Sequence, residues 1–184
     1  MAILKIAKMG HPVLRARATE VEDPTAPQIR QLVDDMLETM FDADGAGLAA
    51  PQVHVPLRVV IFHVAEGRDD ENPAAVPLTV LINPVVEPLT EEVEVDWEGC
   101  LSVPGLMGAV PRYTKVRYRA MTPGGEDLDR IADGFHARVV QHECDHLDGT
   151  LYPQRMEDHS LLMFSDQLRY HTDVEEQEVP GAAK

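Results

Sequence analysis

His142-Glu143-Cys144-Asp145-His146 is the stretch on which the reading of this chain turns. Residues on a helix advance by about 100° each, so His142 and His146 stand about 40° apart, one turn above the other. Both imidazoles then reach a single metal ion. Glu143 lies about 60° to the side of His146, close enough to serve a water on that ion without ligating it. This is the H-E-x-x-H arrangement of metal-dependent hydrolases, with the glutamate as general base. The spacing places the motif on a helix from about Gly134 to Leu147, stopped by Gly149. Phe135, Val139, His142, Glu143 and His146 fall on or near one face of it, so the metal face is expected to look into the core, in a cleft.

Such an ion needs a third protein ligand and an open position. The chain has two cysteines, Cys100 and Cys144. Cys144 sits about 200° from His142, on the opposite face, and reads as a small buried hydrophobe. Cys100 lies in Trp97-Glu98-Gly99-Cys100-Leu101-Ser102-Val103-Pro104-Gly105, where glycines permit close backbone approach. Glu157 is an alternative ligand from a following helix. The protease pattern that adds a third histidine is matched at Gly149 but fails at Tyr152. Cys100 is therefore the preferred third ligand. A Cys-His-His set suits zinc and also accepts iron(II), nickel or cobalt.

Working outward, Ile29, Leu32, Val33, Met36, Leu37 and Met40 mark an amphipathic helix over residues 28–41, with Thr25 and Gln28 placed to form a capping box. Strands are expected at Leu57–Val64, Thr79–Asn83, Glu92–Val95 and Lys115–Arg119, with a polar loop over residues 66–77. A final helix is expected over residues 160–170. The sum is a single α+β domain, residues 1–172, in which antiparallel strands surround a central metal-binding helix flanked by an N-terminal and a C-terminal helix. Residues 173–184 read as an acidic, flexible tail.

A chain of 184 residues is long enough to bury a substantial core. No apolar run approaches the ~20 residues that span a bilayer, and the start lacks a secretory signal. A cytoplasmic protein is expected. The net charge of −16 argues against a nucleic-acid partner, since phosphates would be repelled, but not against docking on a basic protein. Acidic runs such as Asp69-Asp70-Glu71 and Glu91-Glu92 read as solvated surface. His11, His54, His63, His136, His159 and His171 lack ligand spacing and read as surface or packing residues.

Three segments carry a family resemblance: Gly45-Ala46-Gly47-Leu48-Ala49-Ala50-Pro51-Gln52, Glu98-Gly99-Cys100-Leu101-Ser102 and Gln141-His142-Glu143-Cys144-Asp145-His146-Leu147. With Gly10-His11-Pro12-Val13-Leu14-Arg15 ahead of them, in this order and spacing, the chain resembles the bacterial peptide deformylases over roughly residues 4–155. The resemblance implies removal of the formyl group from the N-terminal methionine of nascent chains, releasing formate. It implies Cys100, His142 and His146 as metal ligands, Glu143 as base, and the Gln52 amide and Leu101 N–H as oxyanion donors. It further implies that Gly47 and Gly99 meet the substrate backbone and that Ala46 and Val139 line a methionine pocket. Iron(II) is the family's metal in cells; zinc, nickel or cobalt can stand in after isolation. Glu98 and Arg112 are expected to pair and brace the cysteine loop, and Asp145 to serve a supporting or ion-pair role. Some relatives carry an arginine where this chain has Met107. The acidic tail departs from the basic helix that some relatives use at the ribosome. Two other readings compete. A zinc endopeptidase would take its third ligand elsewhere, and a catalytically dead binding module need not keep Gln52, Glu98, Leu101 and Glu143 together.

Overall fold

Strand β2 (Val59–Val64) is buried on both faces, and the molecule is arranged around it. Its side chains alternate, as a strand requires. Val60 and Phe62 enter one core, Val59 and Ile61 another. The computed structural model describes residues 2–67 and 75–175. In it, β2 belongs to a five-stranded antiparallel sheet ordered β1 (Gly47–Ala49), β2, β3 (Val76–Pro88), β6 (Lys115–Met121), β7 (Asp127–Asp133). β1 is thus an edge strand. A second sheet runs β4 (Val93–Cys100), β5 (Val103–Tyr113), β8 (Leu162–Phe164).

Helix α1 (Pro27–Asp42) packs Ile29, Val33, Met36 and Met40 against Leu48, Val59, Ile61 and Ile82. The opposite face of the same sheet receives α2 (Gly134–Leu147) through Ala137, Val140, Cys144 and Leu147. Helix α2 matches its expected bounds. Gly149 follows with φ +73°, and a Cβ there would lie 2.6 Å from the Arg15 carbonyl, so the stop requires glycine. Cys144 packs in the apolar core as expected. The metal face is buried as expected: His142, Glu143 and His146 are buried, and Val139 joins the core on the large sheet. Helix α2 is buried on two sides, with its apolar residues on the large sheet and its histidines turned toward β4 and the first motif.

The α+β class, the antiparallel sheets and the flanking helices are as expected. Several local expectations need correction. No capping box forms: Ala26 is the N-cap of α1, because the Thr25 N–H and hydroxyl both donate to Asp23 Oδ1, at 2.9 and 2.7 Å. Pro27 instead begins the helix, where its missing N–H costs nothing. Residues 160–170 are not one helix. The short apolar run Leu162–Phe164 pairs with Leu106–Gly108, and α3 (Leu168–Glu175) starts beyond it. Strand β3 begins earlier and ends later than expected, taking in the end of the loop set at residues 66–77. Strands β5 and β7 were not expected. The proline and glycine content of β5 reads as turns, while β7 is a polar strand whose Asp129 receives Arg117 Nε at 2.8 Å. Asp69-Asp70-Glu71 and residues 176–184 of the acidic tail lie outside the described residues. Among the described residues, no helix is long and apolar enough to cross a membrane.

Candidate metal centre and its cleft

Cys100, His142 and His146 come together although they lie far apart in sequence. Strand β4 carries Cys100 as its last residue. A register irregularity between Gly99 and Cys100 then lets the chain turn back into β5. Helix α2 supplies both histidines, whose rings stand 5.0 Å apart and nearly perpendicular. One ligand atom from each of the three residues lies within 4.8 Å of the others. Glu157 is not part of this group.

The donor set fits a metal ion on several grounds. Metal–sulfur and metal–nitrogen lengths of about 2.3 and 2.0–2.1 Å, at a tetrahedral angle, place the two ligand atoms about 3.6 Å apart. The observed Cys100 Sγ to His146 Nε2 separation is 3.5 Å. His142 turns Nδ1 to Glu98 Oε2 at 2.7 Å, which leaves Nε2 for the ion, as histidine ligands are commonly oriented. Glu143 Oε2 is buried with no partner among the described residues.

Behind the ligands lies a buried charge cluster. Glu98 accepts from Arg112 Nε at 2.8 Å, Arg112 Nη2 at 2.9 Å and Arg138 Nη1 at 3.0 Å. Arg112 also donates to Asp145 at 2.6 Å, and Asp145 is held in turn by Arg155 at 2.7 Å. The expected Glu98–Arg112 pair and the ion-pair role of Asp145 are both present. Arg138 was missed. It stands one turn before His142 on α2, and its three further bonds to the Val110, Glu94 and Asp96 carbonyls tie the helix to the small sheet. Burial alone would raise the Glu98 carboxyl, but bonds from Arg112 and His142 hold it well below the usual carboxylate range. Burial pushes the Glu143 carboxyl the other way, up to about 7. A cation bound beside it would draw that value back down.

A cleft of about 560 Å³ opens onto these residues, a size suited to a small ligand or chain end. Ala46, Gly47, Gln52, Gly99, Leu101, Met107 and Val139 line it together with Cys100, His142 and Glu143. Every site residue expected from sequence therefore faces this cleft or its metal group. Gly47 lies hard against Glu143: a Cβ there would fall 2.6 Å from its Cδ. Gln52 is fully buried. Its Oε1 accepts from Ala49 N at 2.8 Å, and its Nε2 faces Cys100 Sγ at 3.5 Å. Tyr152, also missed, stacks on His142 with ring centroids 6.3 Å apart. A second cleft of about 620 Å³ lies by Cys144, Arg17 and Asp148 and touches none of the three ligands.

Residues 3–161 match the polypeptide deformylase family model. The chain belongs to that family. Peptide deformylase 1 of Nitrosomonas europaea is 51% identical over 166 residues, covering 90% of this chain and 94% of the relative. Peptide deformylase 2 of Ralstonia nicotianae is 54% identical over 166 residues, covering 89% and 93%. Among solved structures, the class I type b peptide deformylase of Acinetobacter baumannii bound to Met-Ala-Ser superposes with a TM-score of 0.76 at 36% identity, covering 84% of this chain and 99% of that one. The Synechococcus elongatus peptide deformylase in complex with actinonin gives 0.76 at 35%, covering 96% and 87%. Deformylases are metal-dependent hydrolases that remove the formyl group from the N terminus of nascent peptides, and this chain is such an enzyme.

Proposed function

We propose that this deformylase binds one divalent ion on Cys100, His142 and His146 and that Glu143, Gln52 and Leu101 carry its reaction. The meeting of Cys100 Sγ with the two histidines, at the mouth of a cleft that also holds Glu143 and Gln52, is the observation that supports this. Iron(II) is the ion proposed in cells, with zinc, nickel or cobalt accepted by the same donors. When bound, the ion acts as a Lewis acid that brings water ionisation into the neutral range.

The chain's own residues do the rest. Glu143 takes a proton from the attacking water and later hands it to the departing amine, the two halves of general base and general acid catalysis by one carboxylate. As the formyl carbon becomes tetrahedral its oxygen gains charge, and the Gln52 Nε2–H and Leu101 N–H donate to it. Gln52 is preset for this because Ala49 N–H holds its Oε1, so that Nε2 and not the carbonyl is turned to the metal side. The methionine side chain sits against Ala46 and Val139. Gly47 and Gly99 meet the substrate main chain, which adds to the open edge of β1 as an extra strand. The Met-Ala-Ser bound to the Acinetobacter baumannii relative is a ligand of this kind. Residues 1–172 act as one catalytic unit in the cytoplasm, and any ribosome contact runs through protein rather than RNA, in keeping with the charge of −16.

Formate release from formyl-Met-Ala-Ser by protein loaded with iron(II) under anaerobic conditions tests this reading. No turnover by a folded, metal-loaded sample overturns it. Cys100→Ser separates it from an endopeptidase: metal affinity should fall, and full retention would move the third ligand elsewhere.

A further inference from the structure

Ser102 lies next to this machinery and has been given no part in it. Its side chain is fully buried, and Oγ accepts from Gln52 Nε2 at 3.1 Å. A primary amide carries two N–H groups on Nε2 and one carbonyl oxygen. The carbonyl is committed to Ala49 N at 2.8 Å. With one N–H held by Ser102, the other donates to Cys100 Sγ at 3.5 Å, on the side of the metal group. The same two residues are tied through their backbones. Ala7 N donates to the Gln52 carbonyl at 2.7 Å, and Met9 N to the Ser102 carbonyl at 2.7 Å. The N-terminal segment is therefore a strap across both, with Ala7 itself buried.

We infer that Ser102 is a positioning residue for the deformylation step, acting through Gln52. Its hydroxyl oxygen occupies one amide hydrogen so that the second has a single direction, toward Cys100 Sγ and the metal side of the cleft. Without that acceptor the amide keeps its Ala49 anchor but can tilt about it. The donor is then no longer fixed where charge develops, and preorganisation is what gives such a donor its effect. This rests on the proposed role of Gln52 as an oxyanion donor.

The test is a double-mutant cycle on metal-loaded enzyme, reading kcat and KM for formyl-Met-Ala-Ser with metal content alongside. Gln52→Ala is expected to lower kcat by about 10²–10³-fold, the usual loss for one oxyanion donor. Ser102→Ala should lower kcat by about tenfold or more, with KM and metal content little changed. In the Gln52→Ala background, Ser102→Ala should cost nothing further, because the two act as a unit. A purely structural serine would cost the same in both backgrounds, and that result overturns the inference, as does an unchanged kcat for Ser102→Ala. A Gln52→Ala enzyme with unchanged kcat would instead overturn the role of Gln52. If Ser102→Ala does not fold, Ser102→Cys, similar in shape but a weak acceptor, is read in the same cycle.

Discussion

Oε2 of Glu98 stands 2.7 Å from Nδ1 of His142, while two arginines fill its remaining acceptor positions. One carboxylate thus fixes a metal ligand and neutralises buried guanidinium charge at once. Glu98→Ala leaves Arg112 and Arg138 buried with that partner gone. The expected cost is about 3–5 kcal/mol in the metal-free protein, measured by urea unfolding. Metal affinity should fall by about 10–100-fold in chelator competition, since His142 loses its orienting partner.

The same carboxylate predicts a pH dependence. Its value is depressed in the folded protein from an ordinary 4.5. A group depressed in this way contributes stability that is present above its unfolded value and lost as pH falls through its folded one. Urea midpoints of the metal-free protein should therefore drop from about pH 5 downward, by up to about 1.4 kcal/mol per pH unit for this one proton. Glu98→Gln should be less stable near neutrality and its acid slope shallower by that amount. Equal slopes would mean that Glu98 does not dominate the acid transition.

In the proposed mechanism Glu143 moves the proton without holding the ion, so the two properties should separate. Glu143→Ala is expected to keep stoichiometric metal by elemental analysis. Formate release should fall by about 10²–10⁴-fold, the range for a lost general acid–base group. An active, metal-loaded Glu143→Ala would remove the proposed base.

Gly47 offers a test from the other side of the cleft. A methyl group there is forced onto the Glu143 carboxylate, which must move. Displacement of a catalytic group by about 1 Å costs on the order of 10²-fold in rate. Gly47→Ala should therefore lose most kcat while retaining metal and a near wild-type thermal midpoint. A fully active variant would show that the carboxylate has room to spare.

What the sequence disclosed follows the range of the forces involved. The α2 bounds, the burial of Cys144 and the orientation of His142 and His146 follow from helix periodicity, a local property. The union of Cys100 with those histidines needed the spacing of three separate motifs, because strand pairing over such distances leaves no periodic trace. Arg138 was missed because an arginine on a helix ordinarily reads as solvated, and only the tertiary structure supplies Glu98 and three carbonyls as its partners. Ser102 stood in a quoted motif, yet its hydroxyl acquires meaning only once Gln52, 50 residues earlier, is folded against it. Strand β5 was hidden by Pro104, Gly105 and Pro111: Pro111 pairs with Val95 of β4, and the first two fall where the register is interrupted before pairing resumes at Met107.

Strand β1 ends its sheet with one side open toward the cleft. Only main chain that is itself extended and unpaired can complete such an edge. A chain end already wound into a helix or stitched into its own sheet therefore offers no purchase, however accessible its formyl group. On the proposed reading the enzyme senses how far a new protein has matured. Its opportunity closes when the first residues of the chain find partners of their own, and the race that matters is between deformylation and folding.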